Sequence, residues 1–261
     1  MTTVTPAVDP SSGLRSDGGP DLDHLSRLAA LQAAVLAEVP DADPRAPVPA
    51  CGRWTVTRLV VHLARIHHWA AGQVRRRQET PLGRGPFDLA PFYAAQAAEL
   101  RDTLAALPAD DPAWTLLGTG PVSFWHRRQA HETLIHLHDL RAAALGSGPR
   151  AARERSVDVP AAAWGDAVDE VVGMFLPRQV ALGRAAPLAS SVRLTATDLG
   201  WSWRLGPADT DPDRDAAAEL RAPARELALV LWRRLTPGEA DARITGDAGA
   251  VTSLLDDRLV P

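Results

Sequence analysis

The sequence contains no lysine and no asparagine, and it has a single cysteine. All 28 basic side chains are therefore arginine, set against 32 acidic ones, for a net charge of −4. Lysine and asparagine both have A-rich codons, so a GC-rich coding sequence explains the two absences without a functional cause. The lack of a basic excess argues against nucleic acid as a partner. The lone Cys51 excludes an intramolecular disulfide framework and any multi-cysteine metal site, and it is compatible with a reducing cytoplasm. No apolar run approaches the roughly 18 residues of a membrane helix. The opening "MTTVTPAVDPSSGLRSDGGPD" lacks the apolar stretch of a signal peptide and reads as a flexible lead-in, residues 1–20. The expectation is a soluble cytoplasmic protein, with no nucleic acid and no membrane among its partners, existing as a monomer or dimer.

What is present is the material of a globular fold. Hydrophobic residues make up 46% of the 261 and charged residues 23%, enough to bury a real core in one large domain or two small ones. The first half reads as helices. In "DLDHLSRLAALQAAVLAEV" the positions of Leu25, Leu28, Leu31, Leu36 and Val39 follow near-helical spacing. Thr55 is a candidate N-cap for "VTRLVVHLARIHHWAAGQVRRRQ". A third helix covers "FDLAPFYAAQAAELRDTLAAL", ended by "PADDPAW", and a fourth runs from Val122 to about Leu145 after "GTGP". Four long helices joined by Pro/Gly connections predict an antiparallel four-helix bundle over 21–150.

The character changes after residue 150. "SVDVP" predicts a short strand, and "AAWGDAVDEVVGMFLPRQV" a helix. "SVRLTATD" and "WSWRLG" alternate in the strand manner across "LG", a hairpin signal. "PARELALVLWRRL" is helical, "DARITGD" a strand and "AGAVTSLLDD" a last helix. Residues 151–261 thus read as an α+β domain with a mostly antiparallel sheet.

The fourth helix, "HRRQAHETLIHLHDLRAAALG", gathers four histidines, a glutamate and an aspartate. At about 100° per residue they do not form one cluster. Glu132 and His136 stack four residues apart, and Asp139 lies close to their face, whereas His131 and His138 point away. On the second helix, His62 shares its side with Leu59, Ile66 and Trp69, which places it in the apolar stripe. A bundle that brings these inward faces together surrounds one point with two imidazoles and one carboxylate. That set suits a divalent metal, and three protein ligands leave positions open, as in a catalytic site. The competing reading is a pair of hydrogen-bonded core histidines with no metal.

Several motifs together carry a family resemblance. "CGRWTVTRLVVHLARIHHWA" resembles the "C-x-G-W-T-V-x-D-L-V-x-H-L" segment of the mycothiol-dependent maleylpyruvate isomerase family, one of the DinB-like metal-binding bundles. "RRQAHETLIHLHDLRAAALG" is similar to its "R-x-A-H-E-T-x-x-H-R-W-D-A" helix. "TATDLGWSWRL", "PARELALVLWRRL" and "ARITGD" resemble its C-terminal domain, similar to sterol-carrier-type folds. The resemblance implies that His62, Glu132 and His136 bind a divalent metal, commonly zinc, with nickel or iron as other possibilities. It implies mycothiol as the thiol cosubstrate, and Arg234 as an arginine facing the site. Asp139 reads either as a partner that orients the His136 imidazole or as a surface charge. Arg58 stands where the family usually has aspartate, and "LHD" replaces "RWD".

The expected activity is attack of a metal-activated thiol on an electrophilic small molecule, ending in cis–trans isomerisation or in S-transfer. The alternatives are a metal-binding module without catalysis and a small-molecule or lipid carrier built on the C-terminal fold. Cys51 is not required as a nucleophile and reads as a buried structural residue.

Overall fold

A computed structural model describes residues 22–145, 159–207 and 216–261, which fall into two compact units divided after residue 158. The first unit is built on α1 (His24–Glu38), α2 (Val56–Val74), α3 (Leu89–Ala105) and α4 (Ser123–Leu145). Side chains at the N-termini start two of them. Asp23 accepts the Ser26 N–H at 2.9 Å, and Thr55 accepts the Arg58 N–H.

The side-chain contacts give the helix directions. His24, at the start of α1, meets His131 edge-on, and Glu38, at its end, pairs with Arg141, so α1 and α4 run the same way. His67 faces Tyr93 while Arg75, past the end of α2, reaches Glu99, so α2 and α3 also run the same way. Across the bundle the sense reverses: Trp69 meets Trp125 and, further up, His62 meets His136. The bundle is therefore antiparallel between two parallel pairs, and the segment 75–88 returns the chain from the end of α2 to the start of α3.

Two local features differ from the sequence reading. The connection from α3 to α4 is a hairpin of β1 (Pro112–Thr115) and β2 (Gly118–Pro121), where only turns are predicted. In addition, Leu36 is 37% exposed, and the buried stripe of α1 runs through Leu28, Leu31 and Val35.

The second unit opens with α5 (Ala161–Glu170), which continues through a π turn at Val171–Phe175 into α6 (Leu176–Ala181). Its sheet has the order β4 (Trp201–Leu205), β3 (Val192–Ala196), β5 (Ala218–Ala222), β6 (Arg243–Gly246). The β3–β4 and β5–β6 pairs are antiparallel and β3–β5 is parallel. Alternation buries Val192, Leu194 and Ala196 on one strand, and Ala218, Leu220 and Ala222 on its neighbour. Helix α7 (Ala224–Leu231) packs on these two strands and on α5, and α8 (Ala248–Asp256) packs on β3, β5 and β6. A Cβ at Gly165 would come within 2.5 Å of the Trp201 ring, so only glycine permits this approach of α5 to β4. The fold class is that expected, a helical bundle followed by an α+β unit. The strand β5 is absent from the sequence reading, and most of the expected strand "SVDVP", like the tail 1–20, lies outside the described residues.

No helix among the described residues is long and apolar enough to cross a membrane.

Candidate metal centre

Helix α4 is buried around most of its circumference, with Arg128, Gln129, His131, His136, His138 and Asp139 all 8% exposed or less. Burial of so many polar side chains is costly unless each finds a partner. Part of this set, Arg128, His136 and Asp139, gathers around Glu132 on the seam with α2. The Nε2 of His62 lies 3.4 Å from Glu132 Oε1, and the Nε2 of His136 lies 3.3 Å from the same oxygen. Every ligand atom of this trio is within 4.8 Å of the others. Atoms bound tetrahedrally to an ion at about 2.1 Å stand about 3.4 Å apart, so these separations match a shared ligand sphere.

The surrounding contacts fix each donor. Arg128, one turn before Glu132, pairs with Oε2 and leaves Oε1 for the imidazoles. Burial alone would raise the Glu132 carboxyl, but Arg128 and His136 outweigh it and hold the group well below the usual carboxylate range. His136 donates from Nδ1 to Asp139 Oδ2 at 2.9 Å, which turns its Nε2 toward Glu132. Burial disfavours the His136 imidazolium, yet Glu132 and Asp139 together carry its pKa up to about 9.

Two residues join the centre from the segment before α2, which holds only a short 3-10 turn, Pro49–Cys51, and a single bridge between Pro47 and Thr55. The chain from Ala46 to Val56 folds into a hook, with Val48 N–H donating to the Trp54 carbonyl and Val56 N–H to that of Ala46. Gly52, at φ +61°, sits in its turn, where the left-handed conformation favours glycine. The hook carries the Trp54 ring to 4.7 Å from His62 and, nearly parallel, 6.3 Å from His136. It also brings the Cys51 thiol to 3.5 Å from Asp139 Oδ2. Cys51, His136 and Asp139 form a second trio of potential ligands that shares His136 with the first.

A family model for the N-terminal domain of mycothiol maleylpyruvate isomerase matches residues 25–141, and one for the C-terminal domain of the same isomerases matches residues 165–252. The chain belongs to the mycothiol-dependent maleylpyruvate isomerase family. It is thereby a member of a family of enzymes. A crystal structure of the mycothiol-dependent maleylpyruvate isomerase, and one of a histidine-to-alanine mutant of it, share the family fold. Each matches with a TM-score of 0.56 at 15% identity, over 80% of this chain and 89% of the other. No curated protein sequence matches the chain.

Within this family member, the structure brings His62, Glu132, His136 and Asp139 together and leaves His131 and His138 outside the cluster. Two sequence expectations need correction. The His62 side chain is 31% exposed, so it stands at the edge of the core and not within the apolar stripe. The fully buried imidazole of α2 is His67, which donates from Nδ1 to Gln129 at 2.8 Å. Cys51 is half-buried beside Asp139, and not buried as the sequence reading has it. In the second unit, Arg233 donates to the carbonyls of Leu255, Asp256 and Asp257 at the end of α8. Arg234 donates to the Trp232 carbonyl at 2.6 Å. Trp54 was missed because the hook has no periodicity, although a tryptophan directly before an N-cap threonine is a legible signal of position.

Proposed function

We propose that the protein is a metal- and mycothiol-dependent enzyme that isomerises the cis double bond of an electrophile of the maleylpyruvate class. The observation that carries this reading is the meeting of His62 Nε2, His136 Nε2 and Glu132 Oε1 at the separations of a shared ligand sphere. These three residues would hold a divalent cation, with zinc first for a His2Glu set and nickel or iron also compatible. Held there, the cation would supply a Lewis acid that favours the thiolate form of a thiol. The thiol supplies a nucleophile whose reversible addition makes the double bond single long enough to rotate.

The chain's own groups prepare this chemistry. Asp139 fixes the tautomer and orientation of His136, and Arg128 fixes the rotamer of Glu132. Trp54 lies against both imidazoles and restricts water on that side. With an electrophile that carries a leaving group in place of the double bond, the thiolate would displace that group and keep the new C–S bond as a thioether, which is S-transfer. The locale proposed is the cytoplasm, where a low-molecular-weight thiol is kept reduced.

The test is turnover of maleylpyruvate by the purified chain with mycothiol supplied or withheld, before and after chelation. Isomerisation that needs the thiol, stops on chelation and returns with zinc supports the reading. Turnover indifferent to chelation, or equal in His62→Ala, contradicts it.

A further inference from the structure

We propose that Arg58 is a specificity-determining residue of this centre, a guanidinium that binds the carboxylate of an anionic substrate from its seat on the Trp54 ring. The inference rests on the reading of His62, Glu132 and His136 as a metal site. Arg58 lies one turn before His62 on α2, so the two side chains share a face. Its guanidinium carbon stands 5.3 Å from the centre of the Trp54 ring, and that ring in turn packs on His62 and His136. The residue is exposed, and among the described residues its guanidinium forms no ion pair. Arg75, Arg128 and Arg141, by contrast, are each taken by a glutamate.

The charge balance points the same way. Arg128 offsets Glu132, while Asp139 is engaged by His136 and Cys51. A divalent cation on the ligand trio together with Arg58 would leave a positive surplus, so the open side of the centre favours an anion. A guanidinium held against an aromatic face keeps its N–H edge free, and that edge matches a carboxylate in two hydrogen bonds. Thus Trp54 positions the arginine, and Arg58 selects electrophiles that carry a carboxylate near the reacting bond.

Equilibrium binding of maleate and of its neutral dimethyl ester to the zinc-loaded full chain tests this, with metal content measured on every sample. The wild type should prefer maleate, and the preference should narrow as salt is raised. Arg58→Gln should weaken maleate binding by about tenfold or more and leave the ester within about twofold, the loss expected for a charged hydrogen-bonding partner. Arg58→Lys should recover only part of it. Equal weakening of both ligands, unchanged maleate binding in Arg58→Gln, or a wild type with no preference for maleate overturns the proposal. A wild type that takes up no metal at all contradicts the metal reading separately, through the metal assay.

Discussion

The seam between α2 and α4 has two ends built on opposite principles. At one end Trp69, Phe124 and Trp125 meet edge to face, over a cluster that includes Leu28, Ala70, Ala71, Val74, Leu100 and Leu104. The Trp125 indole nitrogen at this end donates to the Trp114 carbonyl at 2.7 Å. At the other end the same two helices bring His62, Glu132, His136, Arg128 and Asp139 into contact. Packing the first end gains free energy from apolar burial. Closing the second desolvates several ionic groups, and their mutual attraction keeps Glu132 and His136 in their charged forms despite burial. The difference teaches where to look for chemistry: at the end where the same two helices bury interacting charges, and not at the end they seal with tryptophan.

The sharpest way to break that contrast is at the polar end. His136→Ala should lower metal affinity and thiol-dependent turnover by at least about 100-fold, more than the loss of an outer partner causes, while the fold persists. Metal analysis and circular dichroism read the two effects apart. Trp125→Ala should do the reverse: a loss of about 3–5 kcal/mol in denaturant unfolding, with the metal content per folded chain unchanged.

Between the two ends lies His67, whose pKa burial pushes down to about 4 against the ordinary 6.5, with Gln129 opposing. The unfolded chain therefore binds a proton at this residue between pH 6.5 and about 4, where the native state does not. Stability from this group is intact above pH 6.5 and is lost as pH falls toward 4, by on the order of 3 kcal/mol. Denaturation midpoints measured across that window should show a shallower acid loss in His67→Gln. Asp139→Asn should weaken metal binding by about 10–100-fold, the usual range for a group that orients a ligand. Cys51→Ala should cost less, under about tenfold, because a thiol is a weak donor.

Much of this contrast was legible in the sequence, for definable reasons. The four bundle helices follow from apolar spacing and Pro/Gly breaks, and the pairing of Glu132 with His136 follows from the four-residue repeat alone. His62 was found by its position among Leu59, Ile66 and Trp69, but periodicity misjudged its exposure. It cannot distinguish the centre of an apolar face from its edge. The hook holding Cys51 and Trp54 was invisible because main-chain bonds such as Val48 to Trp54 define it, and these leave no side-chain pattern. Strand β5 escaped because "AELRA", although alternating, is made of alanine, glutamate and other residues poorly represented in strands. The parallel running of α1 with α4 depends on contacts such as Glu38 with Arg141, between residues far apart in sequence.

The central claim is that His62, Glu132 and His136 hold a divalent metal, and elemental analysis of the untagged protein tests it most directly. The account expects close to one zinc, nickel or iron per chain in the wild type and in Trp125→Ala. It expects almost none in His62→Ala and His136→Ala, each shown to be folded. A folded wild type that takes up no metal even when zinc or nickel is supplied, or single-histidine variants that keep a full complement, would contradict it.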